Sequence, residues 1–560
     1  MAFDGFVTKA VVTELKQVLI GAKVNKVFEP NKNEVILGLY NNGTNFALDI
    51  CSNPETSRIC LTTHSKTNPK TAYNFCMLLR KYLIGGKIVK ISSYDLERTI
   101  EIDFECYNEL NDLVIRKVFV EVMSSQSNLI LTNQKDTIID SLKHFDNNPR
   151  ELLPAHQYRF IEITKTSFID SSLDSFTNTI LDYVDSSLTK SILSNYIGFS
   201  KPIIQDALNK FQIDDESYNK EDLKLLYGHF KNLIANMGTN NIAGKVISEK
   251  DFVIDSIESE SILPVNFFLD DFYHKKEESL DFKQAKNELL KLVSTQLKKI
   301  SKKLENINAK LKECDEIDTY KLYGELLTAN LYQINSSQNL SEIELENYYD
   351  DYKKITIPLD KKVSVQKNIE KFFKKYNKLK NTLAIVSKQK IETETELDYI
   401  ESVIYSLDSC KSISDIEEIH NEISETLSLK KKVQEPNKKA VKNQKFDMQF
   451  DIRTINGYQV YVGKNNVQNE YISLKLAQKT DIWFHVQTLH GSHVLLRNPN
   501  GDNISDDTLF ECAKIAKENS KAALDTNVSV DYCTANLVKK KPGGKPGMVI
   551  YTDFKTIIVK

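Results

Sequence analysis

The spacing of hydrophobic and polar positions changes along the chain, and each change marks a predicted domain. In residues 1–165, short apolar or alternating runs at 34–40, 45–50, 99–104 and 114–123 predict β-strands. An amphipathic opening and residues 73–83 predict helices, the second of which ends at Gly85 and Gly86. This pattern is typical of an α+β domain. In residues 166–278 the apolar spacing becomes helical, and residues 196–200 lie between two helical runs, where the hairpin of a helix-hairpin-helix would lie.

The clearest periodicity lies in residues 279–429. One seam has apolar residues at alternating spacings of three and four: Leu290, Val293, Leu297, Ile300, Leu304, Ile307 and Leu311. A second seam has the same spacing: Ile369, Phe372, Tyr376, Leu379, Leu383, Val386, Leu397, Ile400, Ile404 and Leu407. Two such heptad seams of similar length, separated by a compact segment near 331–362, predict a long antiparallel coiled-coil hairpin with a small tip. Two separate intermolecular coiled coils are the alternative.

A lysine-rich stretch without apolar periodicity, residues 430–448, predicts a basic linker. Short strands punctuated by glycine and proline return in residues 449–560 and predict a compact C-terminal α+β domain. The fold class is therefore predicted to be α+β and multidomain.

Composition narrows the class of protein. The chain has 560 residues, of which 41% are hydrophobic and 27% charged, and 74 basic residues face 77 acidic ones for a net charge of −3. A uniformly basic surface is excluded, so any nucleic-acid site must come from local segregation of charge. The opening residues do not have the pattern of a signal peptide, and no apolar stretch is long enough for a membrane span. Eight scattered cysteines without a CxxC pair fit a reducing compartment, so we expect a cytoplasmic protein with no membrane partner.

Charge is segregated along the predicted hairpin. The start of the second arm carries eight lysines around the single acid Glu370, and four of them, Lys371, Lys374, Lys375 and Lys378, are the predicted rRNA contacts. If the hairpin turns near residue 345, residue 312 lies opposite 378, and the lysines of the first arm occupy a neighbouring level. Farther along the second arm, acids such as Glu392, Glu394 and Glu396 dominate. A solvated coiled-coil face without a ligand is the alternative interpretation.

The C-terminal domain has a second basic segment. Lys539, Lys540, Lys541 and Lys545 lie in a loop with three glycines, which we expect to be mobile and to bind RNA phosphates. The loop lacks the order of a nucleotide-hydrolysing P-loop. A long polar hairpin tip is the alternative.

Residues 481–494 contain the only tryptophan, Trp483, and three of the nine histidines. His485, His490 and His493 match no zinc spacing, so we predict no metal and no cofactor. Contact of Trp483, His485 and His493 with RNA is the functional prediction, and packing of Trp483 in the core is the alternative. No catalytic motif is present, so we expect no enzymatic residue.

Several short motifs resemble one family. Phe3-Asp4-Gly5, residues 75–81, residues 121–131, residues 324–330, residues 462–466, residues 481–494 and residues 539–551 are similar, in this order, to segments of the NFACT family. The resemblance spans the whole chain. It implies an N-terminal domain similar to that of formamidopyrimidine-type DNA glycosylases, a helix-hairpin-helix domain, the coiled-coil hairpin and a C-terminal NFACT-R RNA-binding domain.

The resemblance also implies a function in ribosome-associated quality control. Family members bind a large ribosomal subunit obstructed by peptidyl-tRNA and recruit aminoacylated tRNA, tRNA-Ala in bacteria. The nascent chain then receives a C-terminal tail without mRNA, which marks it for degradation. The ribosome makes the peptide bonds, so the protein itself has no catalytic residue. A small RNA-binding partner with an S4-like fold is also expected.

The resemblance assigns tRNA binding to two segments. The family's Asp-Arg pair corresponds here to Glu97 and Arg98, and its ELMG stretch corresponds to Glu121, Val122, Met123 and Ser124. Two other functions are considered. A DNA glycosylase would need an N-terminal proline and a four-cysteine zinc finger, whereas this chain has Ala2 and scattered cysteines. A surface fibronectin-binding adhesin, the older description of bacterial members, would need a secretion signal.

Overall fold

The computed structural model describes residues 3–146, 150–161, 164–182, 187–237, 241–256, 264–334, 340–426 and 450–560. Its contacts divide the chain into two compact units, Met1–Leu280 and Asp281–Lys560. The predicted basic linker, residues 430–448, lies outside the described residues.

The first unit is built on a nine-stranded antiparallel sheet of order β4-β3-β2-β1-β5-β6-β7-β8-β9. Its strands are β1 (Lys23–Asn31), β2 (Glu34–Asn41), β3 (Thr44–Cys51), β4 (Arg58–Leu61), β5 (Lys87–Ser93), β6 (Thr99–Tyr107), β7 (Leu113–Glu121), β8 (Asn128–Asn133) and β9 (Ile138–Ser141). Alternation explains β6, since Ile100, Ile102 and Phe104 are fully buried on one face. Helices α1 (Gly5–Leu19) and α2 (Asn74–Leu83) contribute their apolar sides to the same core. The strands and helices predicted in this region are confirmed.

A helical region follows, with α3 (Leu173–Leu181), α4 (Leu188–Asn195), α5 (Lys201–Phe211) and α6 (Lys220–Ala235). Residues 196–200 connect α4 to α5, as the sequence predicted. The helical interpretation was incomplete, because β10 (Ile242–Val246) and β11 (Phe252–Ser256) form an antiparallel hairpin after α6. This region shares one continuous core with the sheet, in which Phe6 of α1 packs against Phe199 and Phe230.

The helices of the predicted coiled coil are α7 (Val265–Cys314) and α9 (Val365–Ser409). In the second unit they run antiparallel, because Lys286 Nζ donates to Asp408 O at 3.0 Å, Lys303 pairs with Glu396 at 3.3 Å, and Cys314 Sγ lies 3.8 Å from Leu379 O. The last contact places residue 314 beside residue 379, so residue 312 lies opposite about residue 381, within about one helical turn of the predicted partner 378. The connection contains α8 (Ile317–Ala329) and the hairpin of β12 (Glu342–Asn347) and β13 (Lys353–Pro358), and α10 (Ile413–Thr426) follows α9.

The C-terminal part of the second unit is a six-stranded antiparallel sheet of order β14-β15-β17-β16-β18-β21. Its strands are β14 (Asp451–Ile455), β15 (Tyr458–Val462), β16 (Ile482–Val486), β17 (Val494–Leu496), β18 (Val528–Thr534) and β21 (Lys555–Val559). Helix α12 (Asp506–Glu518) packs on one core with Phe484, while Trp483 and Ile472 belong to the other. Helix α11 (Asn466–Tyr471) and the separate hairpin of β19 (Val538–Lys540) and β20 (Val549–Tyr551) complete the domain.

Candidate nucleic-acid interface

A pocket of about 410 Å³ lies in the first unit where the sheet meets the connection between α4 and α5. Glu97 and Arg98 line it from the turn before β6, Met123 from the end of β7, and Lys165 and Lys201 from the helical region. Arg98 is half-buried and directly precedes the first residue of β6, so it lies at the start of that strand. The structure thus brings together three of the five predicted tRNA-binding residues.

Two glycines allow the pocket to form. Gly5 N donates to Gly198 O at 2.9 Å, so the start of α1 touches the α4–α5 connection directly. A Cβ on Gly5 would lie 1.9 Å from Leu96 O, and one on Gly198 would lie 2.3 Å from Leu96 Cβ. Gly198 also has φ +86°, a conformation that favours glycine. The turn carrying Glu97 and Arg98 is therefore held between two glycine-dependent contacts.

Asp4 connects the same elements through its side chain. Its Oδ1 caps α1 by accepting from Val7 N at 3.0 Å, and its Oδ2 accepts from Ser200 Oγ at 2.6 Å. Burial raises the pKa of Asp4 to about 6, while Ser200, Val7 and the nearby Arg98 act to lower it. Asp4 therefore contributes a buried acidic group directly behind the predicted tRNA-binding arginine.

The pocket can bind an anion. Ser200 is the N-cap of α5 but makes no side-chain hydrogen bond to that helix, and its hydroxyl donates to Asp4 instead. The positive end of α5 therefore lies at the pocket together with Arg98, Lys165 and Lys201. Burial raises the pKa of Glu97, whose carboxylate accepts from the backbone N–H of Arg98 at 3.3 Å. Three cationic side chains and a helix N-terminus at this pocket fit a nucleic-acid phosphate.

The other two predicted tRNA-binding residues lie inside the protein. Val122 is fully buried, and Glu121 is 2% exposed. The Glu121 carboxylate is paired with Arg150 and accepts from Tyr158 Oη at 2.8 Å. Because both side chains are buried, at the last residue of β7 and the residue after it, direct tRNA contact by them is incompatible with this structure.

The four predicted rRNA-binding lysines of α9 are all exposed, but they differ in their partners. Lys371 pairs with Asp360 at 2.6 Å, and Lys375 donates to Tyr320 Oη while lying 3.9 Å from the centre of that ring. Within the described parts of the chain, no ion pair is found for Lys374 or Lys378. Farther along the hairpin, Lys299, Lys302, Lys303 and Lys310 line a groove with Gln389 and Glu392. Both lysine clusters remain accessible to an RNA backbone.

Only residues 541–548 of the predicted basic loop connect β19 to β20. Lys539 and Lys540 lie in β19, paired with Ile550 and Val549 of β20, so the loop prediction was wrong for these two residues. Lys539, Lys540 and Lys541 are exposed, and Lys545 is half-buried. The loop is held more firmly than its composition suggested, because Glu470 of α11 accepts from Lys540 Nζ at 2.8 Å and from Gly547 N at 3.3 Å. Two turns within it close through Gly544 N to Lys541 O and Met548 N to Lys545 O.

Trp483 does not lie on the surface. It is fully buried, and its Nε1 donates to Ser473 Oγ at 2.9 Å. Trp483 is therefore packed in the core, as the alternative interpretation predicted, and does not form an open stacking surface. His493 is 4% exposed and shares Ser473 through Nδ1 at 2.7 Å. Burial lowers the pKa of His485 to about 4 and that of His493 well below its usual value. His490 lies apart from these, 3.5 Å from Asp398 and 3.7 Å from Glu401.

Among the described residues, one group of three potential metal ligands is found, Glu34, Cys51 and Glu277. Arg58 and Lys66 already pair with both carboxylates, at distances of 2.5 to 3.2 Å. The two side-chain cations take the place that a metal ion would occupy. No described helix combines the length and apolarity that crossing a membrane requires.

Part of the pocket could not be predicted from the sequence. Asp4 and Gly198 were noted separately, in the opening motif and in the α4–α5 connection, but nothing in their spacing showed that they meet. No pattern in the sequence marked Lys165 or Lys201 as a residue of this pocket. Such contacts join residues far apart in sequence, which periodicity and composition do not report.

The fold and these surfaces define a multidomain α+β protein with several cationic sites suited to nucleic acid. The model of the NFACT N-terminal and middle domains matches residues 4–442, and that of the NFACT protein RNA binding domain matches residues 446–553. The chain therefore belongs to the NFACT family.

Relatives extend over the full length. The chain is 33% identical to the Rqc2 homolog RqcH of Bacillus subtilis strain 168, over 100% of this chain and 98% of that protein. It is 31% identical to the Rqc2 homolog RqcH of Streptococcus suis strain 05ZYH33, with the same coverage. A solved structure described as the fibrinogen binding protein from Staphylococcus aureus is 25% identical, with a TM-score of 0.42, and covers 49% of this chain and 99% of its own. The predicted family and its role in ribosome quality control are confirmed by the family match and the full-length relatives.

Proposed function

We propose that the chain binds obstructed large ribosomal subunits that carry peptidyl-tRNA and recruits a further tRNA for mRNA-independent tailing of the nascent chain. The observation that carries this proposal is the pocket at Arg98. It brings an arginine, two lysines and the N-terminus of α5 to one cavity, where they can bind a nucleic-acid phosphate. Alanyl-tRNA is the proposed substrate, in keeping with the resemblance stated for the sequence.

The chemistry of each site indicates which steps the protein carries out and which the ribosome carries out. The pocket offers cations and hydrogen-bond donors for positioning a tRNA. The protein is accordingly proposed to act as an elongation factor without catalytic residues, while the ribosomal centre forms the peptide bonds. The exposed lysines of α9 and of the β19–β20 loop would contact rRNA, and a small S4-like protein would join the complex in the cytoplasm.

The finer domain roles belong to this proposal as well. The sheet domain is proposed to be a glycosylase-like fold that has lost the chemistry on DNA, with the α4–α5 connection acting as the hairpin of a helix-hairpin-helix. A protein of this fold that binds nucleic acid without tailing, and a surface adhesin, are the two outcomes that the experiment must separate.

The experiment purifies the tagged full chain from cells and measures two associations, with large subunits by sedimentation and with tRNA by sequencing. We expect Arg98→Ala to lose tRNA and the tail while large-subunit binding persists. Arg98→Lys should also be defective if the contact is bidentate, and Glu97→Asp should be tolerated. Arg453→Ala is the matched control, since that arginine is paired with Asp451 and Glu518 on the surface of the C-terminal domain.

Each result has a distinct meaning. Loss of both associations in Arg98→Ala, together with a lower unfolding temperature, would show that the arginine holds the fold. Failure of the wild-type chain to sediment with large subunits would contradict the ribosomal function. Recovery of tRNA without tails would favour a nucleic-acid-binding protein without a tailing role.

A further inference from the structure

A second cavity, of about 310 Å³, lies in the second unit between α9 and the C-terminal sheet domain. Ser402 and Tyr405 form its α9 side, Trp483 and His485 its sheet side, and Lys541 lies at its edge. The volume is at the lower end of the range for small-molecule sites and is far too small for a nucleic-acid duplex. Any nucleic-acid group that enters must therefore be a single nucleotide outside its helix.

The sheet side of the cavity is made of aromatic rings. Trp483 and His485 are stacked, with ring centres 5.7 Å apart and planes at 18°. His493 meets both rings edge-on at 5.1 Å, and Tyr551 lies 4.9 Å from Trp483. Burial keeps both histidines neutral near pH 7, because it lowers the pKa of each. The cavity therefore offers an uncharged aromatic wall, which suits a planar, uncharged ring.

The charges around the cavity are arranged unevenly. Lys541 belongs to the basic loop that connects β19 to β20, and Gly547 and Met548 of the same loop also line the cavity. On the opposite side, Asp398 lines the cavity and lies 3.5 Å from His490. A bare phosphate would be repelled from the acidic side and gains nothing from aromatic rings. A nucleotide suits both the aromatic rings and the basic loop, because its base can lie against the rings while its phosphate points toward the lysines of the loop.

We propose that this cavity receives one unpaired base of the RNA bound by the C-terminal domain, with the phosphate of that nucleotide at the loop of Lys541. The inference rests on the proposed function, since it assumes that this domain binds RNA. It also gives this aromatic group a role that the burial of Trp483 and His493 would otherwise exclude: RNA meets the group, at the half-buried His485, only where a base leaves its stack and enters the cavity.

The sequence provides the reporter for this proposal, because Trp483 is the only tryptophan in the chain. The probes are two short RNA hairpins of the same stem, one with a single bulged 2-aminopurine and one with that base paired. Binding is followed by the anisotropy of a dye at the hairpin end, and base entry by Trp483 emission and energy transfer to 2-aminopurine. The full chain is used throughout.

We expect the bulged hairpin to change Trp483 emission in a saturable way and to bind about tenfold more tightly than the paired hairpin, the scale of one stacked base. The paired hairpin should bind without changing the emission. Ser402→Phe, which fills the α9 side of the cavity, should abolish the emission change and equalise the two affinities. Ser409→Phe, on the same helix and outside this cavity, should behave as wild type.

Saturation of the wild-type chain with the bulged hairpin without any change in Trp483 emission would overturn the proposal while RNA binding by the domain still stood. Absence of anisotropy change with either hairpin would overturn both the cavity proposal and RNA binding by this domain. The wild-type titration decides the question even if Ser402→Phe fails to fold.

Discussion

Ser200 donates a hydrogen bond of 2.6 Å to Asp4 across 196 positions of sequence, and both residues are buried. The bond joins the cap of α1 to the cap of α5. It lies behind Arg98, whose charge acts to lower the pKa of Asp4. The position of Glu97 and Arg98, the pair predicted to bind tRNA, thus depends on a junction that the sequence around them does not indicate.

The first prediction tests how tightly this junction is packed. Gly198 and Gly43 have nearly the same backbone conformation, with φ +86° and +84°. A Cβ on Gly198 would collide with Leu96, whereas one on Gly43 meets nothing within 4 Å. Both alanine variants should lose about 1 kcal/mol through backbone strain, and Gly198→Ala should lose a further 1–3 kcal/mol, roughly, through overpacking.

Urea unfolding of the full chain measures this difference, and Gly43→Ala is the matched control. Equal destabilisation of the two variants would show that the Leu96 contact is not tight. We also expect Gly198→Ala to weaken tRNA binding, because the displaced turn carries Arg98.

The fold could be predicted wherever one element buries one regular face. The strand with Ile100, Ile102 and Phe104 and the two heptad seams follow from periodicity alone, whereas the antiparallel register of α7 and α9 also required the assumption of a turn near residue 345. The β10–β11 hairpin was missed within an otherwise helical region, because strands of five residues carry little periodic signal.

The sites were less predictable, for a physical reason. Exposed lysines can be found by counting charges, and Lys374 and Lys378 are indeed exposed. Whether a polar side chain binds a ligand or another residue of the protein depends on tertiary contacts. Glu121 pairs with Arg150, and Trp483 donates to Ser473. A motif shared with a family does not show whether its polar residues bind a ligand or stabilise the fold.

The second prediction concerns the loop between β19 and β20. Lys539→Ser combined with Lys541→Ser should weaken RNA binding and reduce its salt dependence, because both side chains are exposed and each phosphate contact releases counterions. The unfolding temperature should stay unchanged. Lys540→Ser is the informative comparison, since it also removes the 2.8 Å ion pair with Glu470. A loss of stability in the double variant equal to that in Lys540→Ser would favour a structural role for the whole loop.

The third prediction separates the lysines of α9 by their partners. Lys374→Ala with Lys378→Ala should weaken large-subunit binding and lower the salt slope by about two, roughly one per phosphate contact. Lys371→Ala with Lys375→Ala should have a smaller effect, because Asp360 and Tyr320 already hold those side chains. Sedimentation over a series of salt concentrations measures both.

A control for the third prediction lies on the same helix. Glu394→Gln should be nearly silent, since this acid lies outside the lysine groove and pairs with Lys390. Identical salt slopes for wild type and for Lys374→Ala with Lys378→Ala would remove this face from the rRNA interface.

The last prediction concerns Glu422 of α10, which holds α11 of the C-terminal domain against α9. Its Oε1 accepts from Tyr399 Oη at 2.9 Å and from Asn466 Nδ2 at 3.0 Å, and within the described residues no partner is found for its Oε2. Burial raises the pKa of Glu422 to about 7, so the folded protein favours the protonated acid. The resulting stabilisation is complete below the unfolded pKa, near 4.5, and is lost as the pH rises through about 7.

Wild type should therefore be more stable at pH 6 than at pH 8, and this group should account for about 1.4 kcal/mol of the difference. The Gln side chain of Glu422→Gln cannot ionise, so this variant should lack that share of the pH dependence. Its free energy of unfolding should therefore fall less than that of wild type between pH 6 and pH 8. Glu425→Gln, which changes an exposed acid on the same helix, should keep the wild-type dependence. Urea unfolding of the three chains at both pH values measures the effect, and the comparison cancels the contributions of the other buried acids. Parallel pH profiles for wild type and Glu422→Gln would mean that the carboxyl group stays ionised in the folded protein and that water or Asn466 stabilises its charge.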